Sequence, residues 1–351
     1  MPIIDIPGLI DAHVHLRDPG ATHKEDWYTG TCAALAGGVT TILDMPNNPS
    51  PTVDITSLQD KRQVASARAV CDYGLFVGAT AGNAASASEL PGPVGLKVYM
   101  NETHGPLRLE DLPTLVRHWQ AWPRGRPIAV HAEGSALLLA MALAQLHGKH
   151  VHLCHVSRRV ELELVRRAKE HGWPVTCEVT PHHLFLSSED EGKLGALAHM
   201  KPALGSRQDR CGLWENLDVV DLVATDHAPH TLAEKAAAQP PPGVPGLETM
   251  LPLMLTAVAE GRLTFPRLLE LMVSGPARVY GLQRATGNRA TVDTESRFVI
   301  GDGLLTKCGW TPFAGLPVRG RVLRTVVRGI VAYEEGQVQV PPGFGRAVRF
   351  L

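Results

Sequence analysis

Two histidines one residue apart, His13 and His15, stand in the run Leu9-Ile10-Asp11-Ala12-His13-Val14-His15-Leu16-Arg17-Asp18-Pro19-Gly20. In an extended strand alternate side chains share a face, so both imidazoles point one way while Val14 and Leu16 point into packing. Neutral imidazole is a common ligand for divalent transition metals, and Asp18-Pro19-Gly20 stops the strand just beyond the pair. The two rings therefore fall at the carboxyl end of a strand, where parallel barrels carry their active sites. A His-x-His pair taken alone is as often two packed or surface histidines, so the rest of the chain must decide.

It decides by repetition. Lys97 lies in the apolar run 95–100, His131 in 127–132, His155 in 151–156, and Asp226 follows 219–225. Polar groups at the ends of apolar strands are costly unless partnered, so their recurrence points to one shared partner. Four imidazoles, a carboxylate and a lysine at equivalent strand positions form a divalent-metal site. The lysine needs a separate argument, because an ammonium repels a cation. Burial and adjacent cations depress a lysine's pKa, and the neutral amine can take up carbon dioxide as a carbamate whose oxygens bridge two metals.

The elements that must position these groups alternate regularly. Residues 24–37 read as an alanine-rich helix stopped by Gly37-Gly38, 39–45 as a β-branched strand, 55–69 as a helix and 71–79 as a third strand. Strands follow over 95–100, 127–132, 151–156, 175–179 and 219–225, with helices over 109–119, 135–147, 160–171 and 212–217. Eight largely apolar strands alternating with helices predict a (β/α)8 TIM-type barrel, assigned to 8–285. After the Pro-rich loop 239–245 come helices over 246–260 and 266–271 and then a β-rich tail. Residues 318–333 alternate valine with arginine, and Glu334-Glu335-Gly336 is a hairpin-turn signal. Residues 1–7 and 286–351 are assigned to a small β-rich appendage.

Composition narrows the function classes. The 351 residues carry 34 basic and 35 acidic side chains, for a formal charge of -1. No long run of either sign offers a nucleic-acid or anionic-membrane surface, so the expected partner is a small molecule. No secretory leader or membrane-length apolar run is present, and six scattered cysteines suit reduced thiols, so the reading is a cytoplasmic protein.

Read at length, the chain resembles the dihydroorotases of the cyclic amidohydrolase superfamily. It is especially similar to the dihydroorotase domain of the animal multifunctional pyrimidine-synthesis protein. The resemblance runs through residues 7–24, 96–103, 176–187, 205–209, 226–235 and 240–260 and through Trp310-Thr311-Pro312-Phe313. It implies a two-zinc centre in which His13, His15 and Asp226 hold one ion, His131 and His155 the other, and N6-carboxylated Lys97 bridges them. A third zinc, held by His131, Cys154 and Glu178, is implied as well.

Substrate contacts are implied for Arg17, Asn47, Thr103, Lys201, His230 and Pro242. Arg17, two residues past His15, continues the same face, and its planar fork suits a carboxylate. Two positions depart from the animal domain: Lys201 replaces an arginine that contacts substrate, and His104 replaces a phenylalanine on the loop that closes over it. The implied reaction is the reversible cyclisation of N-carbamoyl-L-aspartate to L-dihydroorotate and water, a step of pyrimidine biosynthesis. A hydroxide bridging the ions attacks the ring amide carbonyl while Asp226 acts as general base and then acid.

A homodimer is implied, and the chain reads equally as a free-standing enzyme or as a domain of a longer polyprotein. A sister enzyme of the hydantoinase, dihydropyrimidinase or allantoinase type would use the same metal ligands. Arg17, Asn47 and His230 argue against it, since a substrate without a ring carboxylate has little use for them. A non-catalytic scaffold on this fold would lack several ligands, and here none is missing.

Overall fold

The apolar runs become short parallel strands, most of them buried along their whole length. A computed structural model of the chain describes residues 3–351, so Met1 and Pro2, which the sequence assigns to the appendage, lie outside the described residues. Strand β1 (Ile3–Pro7) precedes the barrel, whose strands are β2 (Leu9–Val14), β3 (Val39–Asp44), β4 (Asp72–Leu75), β5 (Val77–Gly78), β6 (Leu96–Tyr99), β7 (Ile128–His131), β8 (Val151–Leu153), β9 (Val175–Val179) and β10 (Leu222–Val223). One parallel sheet joins β2, β3 and β4, and a second runs from β5 to β10 in sequence order. β4 and β5 form one strand interrupted at Phe76, whose N–H still reaches Asp44 O at 3.1 Å. At the other seam Val14 pairs with His227, and His15 N–H donates to His227 O at 2.8 Å. The first and last strands thereby meet, and the eight-fold α/β ring is complete.

Helix boundaries follow capping chemistry. The helix expected from residue 24 begins at Trp27, because Asp26 accepts from Tyr28 and Thr29 N–H and Thr29 completes a capping box. The helix Ser135–His147 ends at Gly148, whose φ of 57° suits the left-handed C-cap. The helix Arg159–Glu170 buries Leu162, Val165 and Ala168, the three-to-four spacing of a face laid on the sheet.

Three expected elements change shape. The last barrel strand shrinks from 219–225 to two residues, because the chain leaves the ladder to turn Asp226 inward at a φ of 48°. The stretch expected as a helix over 266–271 is α-helical only over Phe265–Leu269 and then widens into a π-type turn, Glu270–Ser274, ahead of Gly275-Pro276. The valine and arginine run of the tail is two strands instead of one. β11 (Arg289–Val299), β12 (Pro317–Val327), β13 (Ile330–Glu334) and β14 (Gln337–Val338) form an antiparallel sheet with β1 at its edge, Ile3 opposite Asp293 and Pro7 opposite Arg289. Its last two hairpins turn at Arg328-Gly329 and Glu335-Gly336, all four residues at positive φ as a type I′ turn requires.

Two buried groups hold the barrel mouth. Lys61 is wholly buried, with Nζ 2.5 Å from Asp44 Oδ2 and bonded to Met45 O and Asn48 Oδ1 at 2.7 Å, while Asp44 Oδ1 accepts from Leu16 N–H. This network ties the end of β2 to the end of β3, and so ties the turn bearing Arg17 to the loop bearing Asn47. Among the described residues no helix is long and apolar enough to cross a membrane.

Candidate active site

The predicted metal ligands arrive at the barrel mouth from six of its strands, β2 and β6 to β10. His13 is the fifth residue of β2, Lys97 the second of β6, His131 the last of β7 and Glu178 the fourth of β9, while Cys154 and His155 follow β8. All are buried. Arg17, His155 and Asp226 adopt left-handed backbone, with φ of 64°, 36° and 48°. Only two other non-glycine residues do so among those described, both in the appendage turns. Such backbone is unfavourable for L-residues and persists where the surrounding structure imposes it, as at reactive sites.

The tautomers of two histidines can be read from their partners. Asn47 Nδ2 donates to His104 O, which turns Asn47 Oδ1 toward His15, and Nδ1–H of His15 donates to it at 2.7 Å. Nδ1–H of His13 donates to Glu178 Oε1 at 2.5 Å. The opposite nitrogens, both Nε2, then face the same oxygen, Asp226 Oδ1, at 3.2 Å from His13 and 2.9 Å from His15. Two lone pairs and a carboxylate oxygen gather around one point only if a positive charge sits there.

Without an ion that charge falls on His13. Burial and Lys97 oppose its protonation, yet Glu178 and Asp226 outweigh them and push its pKa up to about 10. Burial drives His15 down to about 3. Burial also works against ionised Asp226, but the charge on His13 outweighs it and holds the carboxyl well below the usual range.

The second histidine pair is short of partners. His131 Nδ1 and His155 Nε2 lie 2.9 Å apart, while the remaining nitrogens, His131 Nε2 and His155 Nδ1, are buried with no hydrogen-bond partner among the described residues. His131 Nε2 has only Glu133 Oε1 nearby, at 3.6 Å, and these poorly partnered imidazole nitrogens beside an imidazole–carboxylate cluster fit divalent-metal ligation, for which nitrogen with oxygen donors suits zinc. Ligand atoms of His13, His155 and Asp226 lie within 4.8 Å of one another. Lys97 is fully buried, donates to Cys154 Sγ at 3.0 Å, stands 5.2 Å over the Tyr99 ring and has no carboxylate partner among the described residues.

Two of the three residues expected for a third ion, Cys154 and Glu178, share one cluster. They converge with His13, and His131 is absent from that group. The reason is that Glu178 is already engaged, by His13 Nδ1, by His152 Nε2 at 3.0 Å and by His155 N–H at 3.1 Å. It stands behind His13 and fixes the ring.

The pocket over this cluster is lined by five of the six expected substrate contacts: Arg17, Asn47, Thr103, Lys201 and Pro242. His230 lies behind them. Its Nδ1 must accept from the Lys24 ammonium at 3.1 Å, so Nε2 carries the proton and donates to Pro242 O at 3.0 Å. That ring is held neutral by burial, with the charges of Arg17 and Lys24 adding to it. Arg17 Nη2 lies 3.1 Å from Nε2 but gains no acceptor there, and Nε donates to Pro229 O. One arm of the guanidinium is thus anchored and the other is open to the pocket.

Sequence reasoning gave no role to Tyr99, His152 or His182. Tyr99 and His182 line the pocket, and both Tyr99 Oη and His182 Nε2 are buried without partners among the described residues. The two-residue alternation supplied a signal for Tyr99, beside Lys97, and for His152, beside Cys154. Nothing comparable marked His182, which reaches the pocket from the short helix Pro181–Phe185.

An eight-fold parallel barrel with imidazoles, a carboxylate and a buried lysine at its carboxyl mouth belongs to the class of α/β barrels with a candidate metal centre. The amidohydrolase family model matches residues 4–331, and the chain belongs to that family. The dihydroorotase of Pyrococcus furiosus is 35% identical over 366 residues, covering 98% of this chain and 85% of that one. The multifunctional protein CAD of Squalus acanthias is 48% identical over 353 residues, covering 99% of this chain. This chain spans only 16% of that relative's length. Among solved structures, an L-hydantoinase from Arthrobacter aurescens superposes with a TM-score of 0.93 at 27% identity, over 98% of this chain and 88% of its own. An inactive dihydroorotase-like domain of a Chaetomium thermophilum CAD-like multifunctional protein gives 0.84 at 28% identity over 99% of each chain.

Proposed function

We propose that this chain is a zinc-dependent dihydroorotase that interconverts N-carbamoyl-L-aspartate and L-dihydroorotate in pyrimidine biosynthesis. The observation that carries the choice of substrate is the half-anchored Arg17 guanidinium, open to a pocket whose floor is the histidine and Asp226 cluster. A ring carboxylate on Arg17 sets the amide carbonyl over that floor, with Asn47, Thr103, Lys201 and the Pro242 backbone around it. A hydantoin or dihydropyrimidine has no such carboxylate, so the hydantoinase structure shares the fold without sharing this use of the pocket.

His13, His15, His131, His155 and Asp226 would hold two ions, with Lys97, once carboxylated at Nζ, between them. When bound, the ions supply an activated water near neutral pH and polarise the carbonyl under attack. Asp226 takes the proton of the attacking water and hands it to the departing ring nitrogen, and ring closure runs these transfers in reverse. The same reading places the enzyme in the cytoplasm, as a homodimer or as one unit of a longer pathway protein.

The test is turnover by purified, zinc-loaded protein on L-dihydroorotate and on dihydrouracil. Preference for dihydroorotate supports the reading, and preference for dihydrouracil overturns it. Asp226→Asn should lower turnover by about 10²- to 10⁴-fold, the usual span of a general acid–base. A chain that binds less than one zinc and turns over neither substrate is the scaffold alternative.

A further inference from the structure

A cavity of about 700 Å3 lies at the opposite end of the barrel, where β2, β3 and β4 begin near Gly8, Thr41 and Asp72. It shares no lining residue with the mouth pocket. Its walls are pinned by backbone bonds between distant stretches. Tyr73 N–H donates to Arg346 O at 2.9 Å and Val348 N–H to Tyr73 O at 2.8 Å, so the C-terminal segment extends the sheet beside β4. Gln283 N–H in turn donates to Arg349 O at 2.8 Å.

Four arginines, Arg284, Arg328, Arg346 and Arg349, line this cavity against one carboxylate, Asp72. Arg328 pairs with Asp72 directly and donates to Phe344 O at 2.6 Å. The guanidinium groups of Arg284, Arg346 and Arg349 have no hydrogen-bond or salt-bridge partner among the described residues, although Arg346 also feels Asp72 at longer range. Some surface arginines do find carboxylates, as Arg166 does with Asp218 and Arg207 with Glu189. The three are solvent-exposed, so each is hydrated on its own, and their shared place on the rim of one concavity offers several guanidinium forks to a single anion.

We propose that this cavity binds a small anion carrying two or more phosphoryl groups, of nucleoside diphosphate size. The volume is that of a small-molecule site. Planar guanidinium forks match phosphoryl oxygens in pairs, and three of them are more than a single phosphate can use. Nucleic acid fits poorly, since it needs an extended basic stripe and this charge is confined to one recess.

Calorimetric titration of the zinc-loaded protein with ADP, orthophosphate and adenosine tests the proposal. ADP should bind with submillimolar affinity, orthophosphate about tenfold more weakly and adenosine not at all, as expected when charge-assisted bonds carry the affinity. The Arg284→Gln/Arg349→Gln double variant should lose about tenfold or more in ADP affinity. Its turnover of dihydroorotate should stay unchanged, which also reports that it folds. Arg284→Gln alone should weaken ADP binding partially, and Arg124→Gln, an exposed arginine elsewhere, should leave it intact. Equal affinity for ADP and orthophosphate, ADP binding undiminished in the double variant, or no ADP binding to the wild type would each overturn the proposal.

Discussion

Glu178 Oε1 lies 2.5 Å from Nδ1 of His13, on the side of the ring opposite the Nε2 that meets Asp226. Burial opposes ionisation of Glu178, but the charge on His13 and the bonds from His13 and His152 outweigh it and hold the carboxyl well below its ordinary value. The carboxylate therefore fixes both the tautomer and the tilt of a metal-facing imidazole. Loss of such a supporting carboxylate typically weakens metal affinity by about 10- to 100-fold, and that range is expected for Glu178→Gln. A chelator competition titration measures it. Unchanged affinity would mean that His13 needs no support.

Lys97 has no carboxylate partner among the described residues and lies against Cys154 Sγ and the Tyr99 ring. Under the proposed function, carboxylation at Nζ would turn this ammonium into an anionic metal ligand. Lys97→Ala should carry one zinc or fewer and lose about 10³-fold or more of turnover, because both ions act on one water and one carbonyl. Metal analysis beside turnover checks this, with circular dichroism reporting the fold. A variant that keeps two ions and full rate removes the carbamate from the account.

Under the proposed function, Arg17 would meet substrate with a fork that lysine cannot copy. A charge-assisted bidentate contact contributes about 1.5–3 kcal/mol, so Arg17→Lys should raise KM for dihydroorotate by about 10- to 100-fold while zinc content stays constant. Slow turnover of dihydrouracil, which has no carboxylate for Arg17 to grip, should be nearly unaffected. Equal losses on both substrates would place Arg17 in the structure of the mouth instead of the recognition of substrate.

Direction of reaction follows from charge. Carbamoyl aspartate carries two carboxylates and dihydroorotate one, so closure consumes a proton. Cyclisation should therefore dominate at lower pH and hydrolysis at higher pH. Initial rates in both directions from pH 5.5 to 9 decide it, and a closure rate that climbs steadily through alkaline pH would contradict the assignment.

Much of this centre is legible in the sequence, because strand alternation and the carboxyl-end rule act locally. His13 and His15 had to share a face, and apolar runs that carry Lys97 within them or His131, His155 and Asp226 at their ends had to deliver them to one barrel. What the sequence hid depends on contacts between distant segments. The left-handed backbone of Arg17, His155 and Asp226 carries no glycine signal, since the closed barrel imposes it. Glu178 reads equally as ligand or supporter until His152 is seen to occupy its second oxygen. The arginine cavity joins Thr41, Arg284 and Arg349, which no local spacing connects.

Glu248 offers a measurement of stability independent of the metal centre. Its carboxyl accepts from Leu305 N–H at 2.9 Å and Thr306 N–H at 3.0 Å, tying the barrel to the connection between β11 and β12 of the appendage. Burial pushes its pKa up to about 7 against those bonds, from an ordinary value of 4.5, with nearby Glu25 adding to the rise. Below the unfolded value both states hold the proton. As pH rises toward 7 the unfolded chain releases it first, so stability falls across that window and levels off above it. The full loss is on the order of 3 kcal/mol. Glu248→Gln cannot ionise, so its thermal midpoint relative to the wild type should rise between pH 5 and pH 8. A difference that does not change with pH would mean that Glu248 ionises as readily in the folded protein as in the unfolded chain.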